Sequence, residues 1–168
     1  MLFVFLYLAA AVLANLSAMY FGPVSTPINA FLLISLDLTA RDRLHEAWQG
    51  RNLWVKMAAL IITGSALTYL INAGALRIAV ASSVAFIAAG VADTIVYQVL
   101  RKHPRLLKIN SSNAVSATVD SFLFPTIAFG GFIWRATLGQ LIAKVFGGYL
   151  WALLLTKTVW KEPAKASA

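Results

Sequence analysis

Cysteine is absent from this chain, acidic side chains number only 6, and charged residues of both signs make up 12% of its 168 positions. The first absence excludes disulfides and thiolate metal centres, and it leaves the redox compartment open. The second carries more weight, because soluble domains devote about a quarter of their residues to charge. What fills the space is apolar, with 60% of positions hydrophobic. The chain therefore reads as an all-α integral membrane protein, a single domain over residues 1–168. It holds enough apolar sequence for several spans of about 20 residues each, and no room for a separate soluble catalytic domain.

Familiar catalytic signatures are missing as well. His45-Glu46 opens a zinc-helix pattern, but Gln49 stands where the second histidine belongs. No GxxxxGK[ST] loop is present to hold nucleotide phosphates. His103 sits in a basic stretch with neither a carboxylate nor a serine placed beside it. The expectation is a protein that is not an enzyme, with no cofactor and no metal.

Apolar windows of bilayer length fall at about 2–21, 24–40, 53–72, 77–99, 113–134 and 137–157, which predicts a bundle of six transmembrane helices. The first, MLFVFLYLAAAVLANLSAMYF, lacks a basic leader and reads as a span rather than a cleaved signal peptide. Breaks are marked by Gly22-Pro23, RDRLHEAWQGRN, Asn72-Ala73-Gly74, RKHPRLLK and Trp134-Arg135. The net charge of +8 is concentrated in alternate loops. Arg41, Arg43, Arg51 and Lys56 flank the second connection, Arg101, Lys102, Arg105 and Lys108 the fourth, and Lys157, Lys161 and Lys165 the tail. Lysine and arginine near span ends are retained on the cytoplasmic side, so both termini are expected inside. The same distribution explains the basic charge without a nucleic-acid partner, and the lipid bilayer is the expected surrounding.

An ionised side chain in the middle of a lipid-facing helix costs about 2.5–3.5 kcal/mol on insertion scales, so such groups normally turn inward and find partners. Asp37, Asp93, Asp120 and Lys144 are the ones to explain. Asn113, Ser116 and Asp120 recur at i, i+3 and i+7 and share one face of the fifth span, while Gln140 and Lys144 share a face of the sixth. Each also has a purely structural reading. Asp37 with Arg41 has the spacing of an ion pair on one helix. Asp93 can pair with a neighbouring helix, and Asp120 with Lys144 can be a buried pair that only fixes register. Asn15 and Asn29 can be helix-to-helix hydrogen bonds or ligands. Pro23 and Pro27 before the second span, and Pro125 in the fifth, are expected to interrupt the middle helix of each three-helix half, the arrangement that surrounds a midplane site in carriers built from inverted halves.

The segments PINAFLLISLDLTARDRLHE, DTIVY, SSNAVSATVDSFLFPTIAFGG and QLIAKVFGG, in that order between about Pro27 and Trp151, resemble the vitamin uptake transporter (VUT) family, also known as the queuosine precursor transporters. The resemblance implies import of the 7-deazaguanine bases preQ0 and preQ1 across the inner membrane in bacteria, and a bundle similar to the substrate-binding subunits of energy-coupling-factor transporters. Asp37, Asn113, Ser116, Asp120 and Lys144 match positions of that pattern; the N-terminus is shorter, and the loop RDRLHEAWQGR longer, than in many relatives. Such a base presents a ring N–H beside an exocyclic amine, and one carboxylate accepts both in a bidentate, charge-assisted pair. Asp120 is the first candidate for that acceptor, and Asn113 for reading the adjoining carbonyl. Lys144 is the candidate to hold Asp120 ionised or to donate to the carbonyl. Phe122, Phe124 or Phe31 offers a stacking face, Asn29 and Gln140 complete the expected substrate-binding set, and Asp37 or Asp93 could balance an aminomethyl cation. The expected partners are this small molecule, the bilayer and, where import is energised, a separate coupling module. The competing expectations are a carrier for another small heterocycle or vitamin, and a non-transporting membrane assembly protein.

Overall fold

The computed structural model describes residues 1–48, 52–100, 102–103 and 105–158, and every element among them is helical. Helix α1 covers Leu2–Phe21 and ends in a 3₁₀ turn, Gly22–Ser25. A second rod follows in three pieces: α2 over Thr26–Asn29, a π-turn over Ala30–Ile34 and α3 over Ser35–Ala47. Then come α4 (Leu53–Ile71), a 3₁₀ turn (Ala73–Ala75), α5 (Leu76–Val99), α6 (Arg105–Phe129) and α7 (Trp134–Thr158).

Four segments among the described residues are long and apolar enough to cross a membrane: Leu2–Arg41, Leu53–Ile71, Ala73–Val96 and Trp134–Leu155. Length and composition thus establish four candidate crossings where the sequence pattern predicted six. Two causes account for the difference. Leu2–Arg41 merges α1 with most of the second rod, although Gly22, at φ 66°, turns the chain between them and α1 packs against α3. Helix α6 falls short because Asn110, Ser111, Ser112, Asn113, Ser116, Asp120 and Ser121 dilute its apolar content.

The packing is inverted in size relative to a soluble core. Alanines dominate the interior, including Ala10, Ala14 and Ala18 of α1, Ala30 and Ala40 of the second rod, and Ala79, Ala81, Ala85 and Ala89 of α5. The large side chains Phe5, Leu13, Ile62, Leu70, Val91, Ile142 and Phe146 face outward. Lipid tails are as apolar as leucine, so burying large side chains gains little in a bilayer, and small residues that let backbones approach do the work of association. With its apolar helices, this makes the chain a multi-pass membrane protein. Helices α5 and α6 form a long antiparallel hairpin, pinned at one end by Arg77 Nε, which donates to the Ile127 carbonyl at 3.2 Å.

The prolines act differently from the expected interruptions. Pro23 and Pro27 stand in the first turns of their elements, where a missing N–H costs nothing, so they start helices rather than break them. Thr26 Oγ1 donates to the Pro23 carbonyl at 2.8 Å and Ser25 Oγ to that of Gly22 at 2.9 Å, which satisfies backbone acceptors at the turn. Pro125 lies inside α6, fully buried, and the helix runs on to Phe129. A full break there would strand several backbone groups away from water, whereas a continuous helix loses only the bond the proline cannot make. The fifth helix also begins earlier and ends sooner than its apolar window of 113–134, since the basic segment from Arg105 onward is helical. The sixth starts at Trp134 rather than 137, and the second rod runs through Ala47 rather than stopping near 40.

The irregularity in the second rod is its π-turn. Ser35 bonds the Ala30 carbonyl twice, through its backbone N–H and through Oγ at 2.7 Å, and Trp151 of α7 donates its indole Nε1–H to the Leu32 carbonyl at 2.9 Å. Helix α7 comes close enough to do this because Gly139 and Gly147 face the rod. A Cβ at Gly139 would lie 2.7 Å from Pro27 Cγ, and one at Gly147 would meet the Phe31 carbonyl and lie 2.5 Å from Ser35 Oγ.

Candidate functional site

The tight seam between the second rod and α7 determines where Lys144 goes. It lies between the two close-packed glycines on α7, 4% exposed, and its ammonium reaches across to α6. Nζ forms an ion pair with Asp120 Oδ2 and donates to Ser121 Oγ at 2.9 Å. Asp120 is 8% exposed and Ser121 fully buried. The pairing anticipated from sequence is therefore present, with a serine hydroxyl as a further acceptor. Asp120 Oδ1 makes no hydrogen bond among the described residues, and each carboxylate oxygen has two lone pairs, so the group keeps capacity for a ligand.

Asp120 opens onto a cleft walled by α1, the start of the second rod, α5, α6 and α7. Its free volume is about 20 Å³. That holds a water or so. A fused-ring molecule enters only if the lining side chains part, and Phe86 and Phe124 are the large ones among them.

Four of the expected residues line this cleft: Asp120, Asn29, Gln140 and Phe124. Lys144 does not line it but contacts Asp120, which does. Asn29 Nδ2 donates to the Ala14 carbonyl and to Ser25 Oγ, both at 3.3 Å, which ties the second rod to α1 and leaves the amide oxygen as an acceptor. Gln140 is 3% exposed, and its Nε2 has no hydrogen-bond partner among the described residues. An amide nitrogen buried without a partner costs about 1–3 kcal/mol unless something accepts from it.

The remaining expectations land elsewhere. Ser116 is buried but does not line the cleft, and Asn113 is exposed, so the polar face of α6 delivers only Asp120 to it. Asp93 is half-buried on α5 and likewise lines no part of the cleft. Asp37 is fully enclosed, in a region where the buried Tyr7 feels the combined field of Asp37, Arg41 and Asp120. Neither of the two carboxylates expected to balance a ligand cation is in place to do so. Phe122 is exposed and stacks at a tilt on Phe132, 5.3 Å between ring centres, while Phe31 is half-buried; neither reaches the cleft.

Sequence reading gave no weight to Thr26, Ser82 and Phe86 as lining residues, and it left Asn15 open. Asn15 fulfils both of its readings: Nδ2 donates to Thr68 Oγ1 of α4 at 3.4 Å, and the residue also faces the cleft. Nothing in the charge pattern marks these positions, because their role comes from how α1 and α5 close around α6.

Residues 1–160 match the family described as "Putative vitamin uptake transporter". Searches of curated proteins and of solved structures gave no match. With a match that spans nearly all of its 168 residues, a helical multi-pass architecture and a buried polar cleft, the chain belongs to the vitamin uptake transporter family.

Proposed function

We propose that the protein is a six-span, single-domain carrier over residues 1–168 that imports a 7-deazaguanine base of the queuosine-precursor type across a bacterial inner membrane, with both termini in the cytoplasm. Three points support six spans. Helix α1 has 20 residues, the rod from Thr26 to Ala47 is as long, and α6 has 25, which at 1.5 Å per residue each suffice for about 30 Å of hydrocarbon.

The observation that carries the substrate reading is that Asp120, paired with Lys144 through Oδ2, lines the same cleft as Gln140, whose Nε2 has no partner among the described residues. An amino-lactam edge offers adjacent N–H groups to a carboxylate and a carbonyl to an amide nitrogen. Phe124 and Phe86 supply apolar surface for the ring faces. The chain has no nucleotide-binding loop, so import driven by ATP would need a separate energising module, and import without one would rest on metabolic trapping of the base.

Cells unable to make queuosine precursors provide the test. With labelled 7-deazaguanine bases supplied outside, the wild type is expected to restore queuosine in transfer RNA, and Asp120→Asn to lose that ability at unchanged membrane abundance. A well-expressed wild type that takes up no deazapurine would sink the proposal, and uptake of another vitamin in the same cells would redirect it.

A further inference from the structure

Among the described residues, only one ionisable side chain lines the cleft, and it is already balanced. That residue is Asp120, and Lys144 sits on its Oδ2, both buried. Whether the shared proton rests on nitrogen or oxygen, the pair sums to zero. Asp37 and Asp93 do not line the cleft, so no second carboxylate offsets a further positive charge there. The polar groups that remain are neutral. Asn29 spends its N–H donors on the Ala14 carbonyl and Ser25 Oγ, Asn15 donates to Thr68, and Thr26 donates to the Pro23 carbonyl. All three keep a side-chain oxygen able to accept, Ser82 adds a hydroxyl, and Gln140 Nε2 is a buried donor without a partner among the described residues.

From this complement we infer that the site selects an uncharged planar lactam and discriminates against a ligand of the same shape that bears an ammonium group. The inference rests on the base-import reading and narrows it to charge state. Carbonyl oxygens can accept hydrogen bonds from an ammonium but cannot cancel its charge. A buried cation without an anion keeps a desolvation penalty that good geometry does not recover. Orientation offers no escape within the cleft. A substituent directed at Asp120 competes with Lys144 and meets its positive charge, and one directed away meets asparagine, serine and phenylalanine. A neutral nitrile at the same ring position carries no such penalty.

The test is equilibrium binding to the full-length protein in detergent at pH 7, with 7-cyano-7-deazaguanine and 7-aminomethyl-7-deazaguanine as the two probes. The nitrile is expected to bind at least tenfold more tightly. Lys144→Met, which removes the cation that balances Asp120, should shift that ratio at least tenfold towards the amine. Gln140→Glu adds a carboxylate at a nearly isosteric position without touching the pair, and it should shift the ratio in the same direction even where Lys144→Met fails to fold. Equal affinities in the wild type, or tighter binding of the amine, overturn the inference and leave base import standing. An unshifted ratio in a folded Gln140→Glu protein overturns it too. Binding of neither probe overturns the base-import reading, and the inference falls with it.

Discussion

Asp120 and Lys144 pose at the scale of the residue the question of what a buried ion pair is for. Such a pair contributes little net stability against an apolar replacement, but breaking it from one side leaves a charge with no partner, at about 3–5 kcal/mol. Thermal unfolding in detergent should therefore show Asp120→Asn and Lys144→Met each strongly destabilised, and the double variant recovering most of the loss; additive losses would mean that the two do not depend on each other. Gln140 is expected to behave in the opposite way. Its Nε2 has no partner among the described residues, so Gln140→Leu should leave thermal stability unchanged or raised, while base uptake falls at least tenfold. A large stability loss in that variant would show the amide to be structural. The charged half of this site was legible in the sequence, because a carboxylate and a lysine in apolar segments have few places to go except towards each other. The neutral half was less so. Asn113 lies on the same helical stripe as Asp120 yet is exposed, since a stripe says which face a residue occupies and not how far along the helix the neighbours cover it. Ser82 and Phe86 carry no charge to betray them, and only the packing of α5 brings them to the cleft.

Helix α7 against the second rod is the element on which the site depends. Its geometry predicts a contrast between adjacent glycines. Gly147→Ala would drive a methyl into the Phe31 carbonyl and Ser35, whereas Gly148 has nothing within 4 Å. The first substitution is expected to cost about 1–3 kcal/mol, as overpacking does, and to displace Lys144; the second should be silent in both unfolding and uptake. Equal effects would contradict the close approach. Trp151→Phe removes the indole donor to the Leu32 carbonyl in the π-turn and should cost about 1 kcal/mol in the same assay. The apolar windows located these helices because hydrophobic length is a direct requirement of the bilayer. The expected interruption at Pro125 did not hold and the π-turn had no local signal, because the outcome at both depends on whether neighbouring groups satisfy the freed backbone. Trp151 and Ser35 do so for the π-turn, and neither signals that role from its own local sequence.

For the whole molecule, alanine inside and large apolar residues outside make sense only if the surroundings are lipid. The alternating basic loops add a direction to that arrangement, and the absence of cysteine makes it easy to test, because any introduced thiol is the only one present. Lys102→Cys, at an exposed position between α5 and α6, should resist a membrane-impermeant maleimide in intact cells and react after lysis. Gly131→Cys, exposed between α6 and α7, should react in intact cells. The reverse pattern would invert the proposed topology. Both results bear on the route of the ligand, but the most direct measurement of the central claim is retention of a labelled 7-deazaguanine base by the purified full-length protein, compared between wild type and Asp120→Asn. Saturable binding by the wild type, weakened at least a hundredfold in a folded Asp120→Asn protein, is the predicted result. Undiminished binding by that variant, or none by the wild type, would contradict the assignment of Asp120 as the group that holds the base.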